Sequence, residues 1–199
     1  MGDLDNTYVI VFADHGEMLG EHGLYGHTLT LHNRVLHVPL LLAPPHDEIH
    51  QGVFSKRFRL QDLGELVLRL ANDPSELQAY LEDYPEEQPI YAEYAGRQDR
   101  LTAEDRGFLA QSSHLTTMSS VLIDGRHKLV RSSRGADRLY DLLIDPDEEV
   151  GVAGVEPDVA QAMGKTLEDF RGRFQRAEGI ERIPGDAAIE ERLRALGYH

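Results

Sequence analysis

The sequence contains no cysteine. That excludes disulfides, thiolate metal sites and a cysteine nucleophile within these 199 residues. Positive charge is scarce: lysine occurs only at Lys56, Lys128 and Lys165, and the formal net charge is −15. A chain this acidic repels a phosphate backbone, so nucleic acid is not an expected partner. The acid excess fits a salt-rich setting, where dense carboxylates keep a protein in solution, and equally a GC-rich genome with an acidic surface. No apolar run approaches the ~20 residues needed to span a bilayer, so no membrane partner is expected. The start, Met1-Gly2-Asp3-Leu4-Asp5, lacks the basic head and apolar centre of a signal peptide. The compartment is open, with the cytoplasm as the default. No internal repeat is visible. The apolar share, 41%, is that of a globular chain able to build a core. The length suits one large domain, or one with a small companion.

What is present is organised around Tyr8 to Pro39. Tyr8-Val9-Ile10-Val11-Phe12-Ala13 is a continuous β-branched and aromatic run, the pattern of a strand buried on both faces as in a parallel sheet. Asp14, His15 and Gly16 follow at its carboxyl end, where open α/β sheets place their ligands. Glycines at 20, 23 and 26 make residues 17–27 too glycine-rich for a helix interior and predict an ordered loop. Residues 28–36 suit a short helix, and His37 to Ala43 a second buried strand with Pro39 near its start.

Leu60, Leu63, Leu66, Val67 and Leu70 fall at helical spacing and predict a helix over 61–71, with a second, capped by Ser75, running to Leu81. Residues 83–89, acidic and with two prolines, mark a boundary between residues 1–85 and a C-terminal α+β subdomain over 86–199. Residues 89–95 suit a strand, and 96–112 carry no clear pattern. From Leu115 the chain reads as an antiparallel meander: strands over 115–123, 127–132 and 138–143, with Asp124-Gly125 as a type I′ turn. Val159, Met163, Leu167, Phe170 and Phe174 mark one face of a helix over 157–176. Asp186 caps a last one. Two strands buried on both faces do not complete a doubly wound sheet. The expectation is therefore the C-terminal part of a larger α/β fold whose first half lies outside this chain.

The run Asn6 to Glu17, with Gly20-Glu21-His22-Gly23-Leu24-Tyr25-Gly26-His27 and His37-Val38-Pro39-Leu40-Leu41, resembles the second half of the sulfatase family, of the alkaline-phosphatase-like superfamily. Phe58 to Leu70, Gly125 to Val130, Leu139 to Leu142 with Asp145-Pro146, and Glu191 to Tyr198 resemble the family's later helix, its small C-terminal sheet and its terminal helix. The implied fold is the C-terminal part of a mixed sheet with helices, followed by a small antiparallel sheet and terminal helices. The implied activity is metal-dependent hydrolysis of small-molecule or glycan sulfate esters. Phosphodiester or phosphonate monoester hydrolysis and a non-catalytic metal-binding remnant are the alternatives. In that family the first half supplies two aspartate ligands and the formylglycine nucleophile. Neither Cys-x-Pro-x-Arg nor Ser-x-Pro-x-Arg occurs here, so the resemblance implies that this chain by itself is inactive and that the missing half is its partner.

The resemblance places metal ligands at Asp14 and His15, and at His27 the group that touches the sulfate. Oxygen-dominated ligation implies Ca²⁺, with Mg²⁺ or Mn²⁺ admitted by the histidine. Each residue also has a plainer reading. Asp14 can cap the next turn beside a packing histidine, and His27 can be a surface residue of a glycine loop. His15, His22 and His27 with Asp14 can form a transition-metal site of unfamiliar spacing. Glu17 and Glu21 are read as loop hydrogen-bond partners, Asp62 as a cap or turn ligand, and Arg126 and Lys128 as a solvated hairpin face.

Overall fold

The computed structural model describes residues 6–27, 30–45, 52–94, 118–132 and 136–173. The patternless stretch 96–112 and the expected last helix lie outside them. Two compact units are resolved, residues 1–168 and 169–199. Of the second, the described part is the end of one helix.

Strand β1 (Val9–Phe12) comes from the apolar run and pairs antiparallel with β4 (Leu40–Ala43), Val9 opposite Ala43 and Phe12 opposite Leu40. The expected parallel arrangement with both faces buried is not observed. Val11 is 54% exposed and Leu41 63%. An uninterrupted apolar run tells that a strand faces apolar surroundings, not which strand lies beside it or where the covering residues come from. Between these strands the glycine loop folds as a miniature hairpin, β2 (Met18–Leu19) against β3 (Tyr25–Gly26), closed by a 3₁₀ turn over Glu21–Gly23. A single-turn helix α1 (Asn33–Leu36) follows, where a short helix was expected.

Helix α2 (Leu63–Asn72) runs on from a 3₁₀ turn and buries Leu66 and Leu70, as the spacing predicted. Helix α3 (Leu77–Asp83) follows a turn capped by Asp73, not Ser75: the Asp73 carboxylate accepts from the Ser75 N–H at 3.0 Å. Asp62 stands at the N-cap position of α2 but makes no side-chain cap bond. It forms a two-pronged ion pair with Arg59 at 2.7 and 2.8 Å.

The antiparallel sheet has four strands, in the order β5 (Ile90–Glu93), β6 (Met118–Asp124), β7 (His127–Ser132), β8 (Arg138–Asp141). The meander reading holds and gains an edge strand. The β6–β7 turn differs from expectation. Asp124 pairs with His127, so Gly125 and Arg126 are the central residues, and of the two only Gly125 has positive φ (55°). That is the pattern of a type II′ turn, not I′. Alternation along the strands sorts the core into two layers. Val121, Val130 and Tyr140 face Met18, Leu24, Leu31 and Val35 of the hairpin and α1. Leu122, Leu129 and Leu139 face Met163 and Leu167 of helix α4 (Pro157–Arg173). The small sheet thus carries on one face the whole segment that contains the candidate site. The mixed α/β architecture agrees with the expected fold class, although every pairing among the described residues is antiparallel.

Candidate functional site

The site begins where β1 ends. Gly16 donates its N–H to the Val35 carbonyl at 2.8 Å, and a Cβ on Gly16 would lie 2.1 Å from the Arg34 carbonyl oxygen. Only glycine permits this approach, which presses the Asp14-His15-Gly16 turn onto α1. The His15 N–H donates to Asp14 Oδ1 at 3.0 Å, and His15 Nδ1 lies 3.0 Å from the Gly16 carbonyl. A carbonyl only accepts, so Nδ1 carries the proton and the lone pair of the neutral ring is on Nε2. That Nε2 is buried, has no hydrogen-bond partner, and lies 3.8 Å from Asp14 Oδ1. An unprotonated ring nitrogen and a carboxylate oxygen are both atom types that divalent cations accept as ligands.

His27 arrives from the far side of the hairpin. Its ring stacks on His15 with centroids 3.8 Å apart, and its Nδ1 is 2.8 Å from Glu17 Oε1. His15, Glu17 and His27 each present a ligand-capable atom within 4.8 Å of the others. The structure therefore brings His15 and His27 together, while Asp14 stands beside His15 alone and is not part of this cluster. It adds Glu17 as the carboxylate that holds His27, the hydrogen-bonding role expected of it. Asp14, His15 and His27 all line one broad concavity.

His22 does not join them. Its Nε2 bonds the Asp147 carbonyl at 2.7 Å, and its ring tilts on His32, so the three-histidine arrangement is not formed. Lys128 corrects an expectation outright. It is fully buried, not on a solvated face, and its ammonium meets Glu148 at 2.7 and 2.8 Å. Burial lowers the Lys128 pKa from its usual value, while the facing carboxylate opposes the shift. Strand alternation held the signal: Lys128 shares a face with Val130, which points inward. His32 is also buried, and burial lowers its pKa against the opposing pull of Glu148. A second cluster, His127, Asp141 and Glu156, lies on the β7–β8 edge. There the Arg126 guanidinium stands 2.6 Å from Asp141 and His127 pairs with Glu156 at 2.8 Å, so a fixed cation already occupies it.

The Sulfatase family model matches residues 1–72. Arylsulfatase K of Xenopus laevis is 29% identical over 175 residues, which are 83% of this chain and 31% of that protein. The chain spans about a third of the length of the curated relatives it matches. Among solved structures, a protein in complex with its substrate D-glucosamine-2-N,6-O-disulfate superposes with a TM-score of 0.63 at 20% identity, over 91% of this chain and 37% of that one. The phosphonate monoester hydrolase of Agrobacterium radiobacter superposes with a TM-score of 0.57 at 21% identity, over 86% of this chain and 36% of that one. The fold is the alkaline-phosphatase-like one of these solved structures, and residues 1–72 are similar to the Sulfatase family.

Proposed function

We infer that this chain carries the second half of a metal-dependent sulfuric ester hydrolase site, with Asp14 and His15 as cation ligands and His27 as the group beside the ester. The observation that carries the reading is the buried, unpartnered Nε2 of His15 next to the Asp14 carboxylate. When bound, a divalent cation supplies positive charge to the ester oxygens. Oxygen from Asp14 with one imidazole suits Ca²⁺ and admits Mg²⁺ or Mn²⁺. The chain's own residues do the rest. Gly16 seats the turn, and its carbonyl fixes the His15 tautomer. Glu17 holds His27 Nδ1, which leaves Nε2 as the atom that, in the doubly protonated ring, gives its proton to the departing oxygen.

These residues contain no activated nucleophile. The open faces of β1 and β4, and a length about a third that of arylsulfatase K, support a nucleophile contributed by polypeptide outside this chain, which would also cover those strands. In the same reading residues 1–85 carry the site and residues 86–199 support it. Sulfated sugars are the substrate class favoured by the disulfated glucosamine bound to the solved neighbour. The phosphonate monoester hydrolase likeness keeps phosphorus esters as the second reading.

Titration of the chain with Ca²⁺ and Mn²⁺ is the first test. Uptake at one site, lost in Asp14→Ala, is expected; uptake unchanged by that substitution would falsify the ligand assignment. Uptake with no hydrolysis by any assembled form is the result that favours a non-catalytic remnant. In a form that does hydrolyse esters, His27→Ala is expected to lower kcat by about 10²- to 10⁴-fold. Relative kcat/KM on sulfate and phosphonate esters of one alcohol decides between the two chemistries.

A further inference from the structure

One buried charge pair lies outside the site yet bonds the stretch Leu31–Asn33, which leads from His27 into α1. Lys128 and Glu148 expose no side-chain surface. The Lys128 ammonium donates to both Glu148 oxygens and, at 2.7 Å, to the Leu31 carbonyl. Glu148 Oε1 also accepts the Asn33 N–H, the first of α1, at 2.6 Å. The carbonyl of the preceding Asp147 accepts from His22 Nε2 at 2.7 Å and His32 Nε2 at 3.0 Å. Apolar packing alone would seat a hairpin on a sheet. Taking an ammonium and a carboxylate out of water is a costly alternative to well-packed apolar side chains of the same volume.

The backbone points to the same place. Among the described non-glycine residues, only His22 (φ 51°) and Glu148 (φ 57°) have positive φ. They stand on the two sides of this one contact. Strain of this kind persists where the surroundings over-determine it, and it clusters where a site is being held.

The bonds lead to both histidines of the site. On one side, the Gly16 N–H is held by Val35 in α1, and the start of α1 is held by Glu148. On the other, His27 lies between His22, bonded to the Asp147 carbonyl, and Leu31, bonded to Lys128. We propose that Lys128, Glu148 and the turn that carries Glu148 form a positioning clamp, which sets the spacing of His15 and His27 from the face of the small sheet that packs on the hairpin and α1. Both are positioning residues: they act through Asn33, Val35 and Leu31. The proposal rests on the metal-site reading for only one of its readouts.

The test uses the full chain with Glu148→Gln and Asn33→Pro. The first keeps volume and removes charge. The second deletes the single N–H that Glu148 holds at the start of α1. Proline fits there, because Asn33 is the first helical residue and His32 before it is already extended (φ −61°, ψ 152°). Imidazole NMR signals of His15 and His27 report ring stacking with no metal present. Mn²⁺ titration followed by its paramagnetic resonance signal reports the ligand pair. Both variants are expected to shift the two ring signals and to weaken Mn²⁺ binding by about tenfold, the loss typical of residues supporting a metal ligand. Glu148→Gly relieves the positive φ while removing the carboxylate; the clamp predicts displaced rings all the same. A higher melting temperature with undisturbed rings in that variant shows a mere strained turn. Unmoved ring signals in Asn33→Pro, which keeps the whole charge pair, overturn the proposal. A native chain that takes up no Mn²⁺ sinks the metal reading alone, since the ring signals still decide the clamp.

Discussion

At Gly16 there is no room for a side chain, and that single fact places the candidate ligands. A Cβ 2.1 Å from the Arg34 oxygen is far inside contact distance, and both partners are backbone. Gly16→Ala must therefore push the turn off α1. Its expected cost is about 1–3 kcal/mol, the range for overpacking a tight contact, and it should carry loss of the His15–His27 ring stacking. Urea denaturation with imidazole NMR checks both; a stable variant with unchanged ring signals contradicts the account. At the same scale, Asp14 and His15 stood out because a carboxylate and an imidazole at the end of an apolar run are unusual neighbours, whereas His27 was singled out only by the family resemblance. The His15 tautomer was not. It depends on a carbonyl one residue away whose direction the fold sets.

Helix α1 is a single turn and cannot stand by its own hydrogen bonds. Its N-terminus is capped by an imidazole: His32 Nδ1 accepts the Arg34 N–H at 3.1 Å, so the proton of this ring sits on Nε2, toward the Asp147 carbonyl. Protonating Nδ1 would destroy the cap. Burial holds the His32 pKa below its ordinary 6.5, with Glu148 and the Asp147 carbonyl opposing and Lys128 and His22 adding to the shift. A group whose folded pKa is lowered binds its proton first in the unfolded chain. Its contribution to stability is therefore present above pH 6.5 and is lost as pH falls below that value. Denaturation midpoints measured between pH 7.5 and 5 should fall more steeply for the native chain than for His32→Gln; parallel slopes would show that this ring does not titrate with unfolding. Elements themselves were read well wherever periodicity was long. α2 and α4 follow from apolar spacing, and the meander from alternation with a turn glycine. Lys128 was misjudged because charge suggests solvent, while its place in the alternation points inward. The partner that makes burial tolerable, Glu148, lies 20 residues away.

Across the described residues, β1 and β4 present an exposed apolar face. Val11 and Leu41 sit opposite each other, both apolar and more than half exposed. Paired apolar side chains in water favour self-association. Replacing both with serine should change the stability of this chain by no more than about 0.5 kcal/mol each, the usual range for surface positions, while reducing sedimentation as higher species. A large loss of stability instead would show that the face is already covered. Multimolar salt separates the two readings of the acid excess: a rise in melting temperature favours adaptation to salt.

The order of residues by itself determined which side chains could do chemistry, where the longer helices and the meander run, and that this chain offers no thiol of its own. Those are local properties of side-chain type and spacing. Only the tertiary structure decided which strand lies beside which, that Glu17 rather than His22 stands by His27, and that Lys128 of the small sheet and Glu148 of the turn beyond it bond Leu31 and Asn33. Such choices depend on residues far apart in the chain meeting at hydrogen-bond distance, and no short-range pattern encodes that meeting.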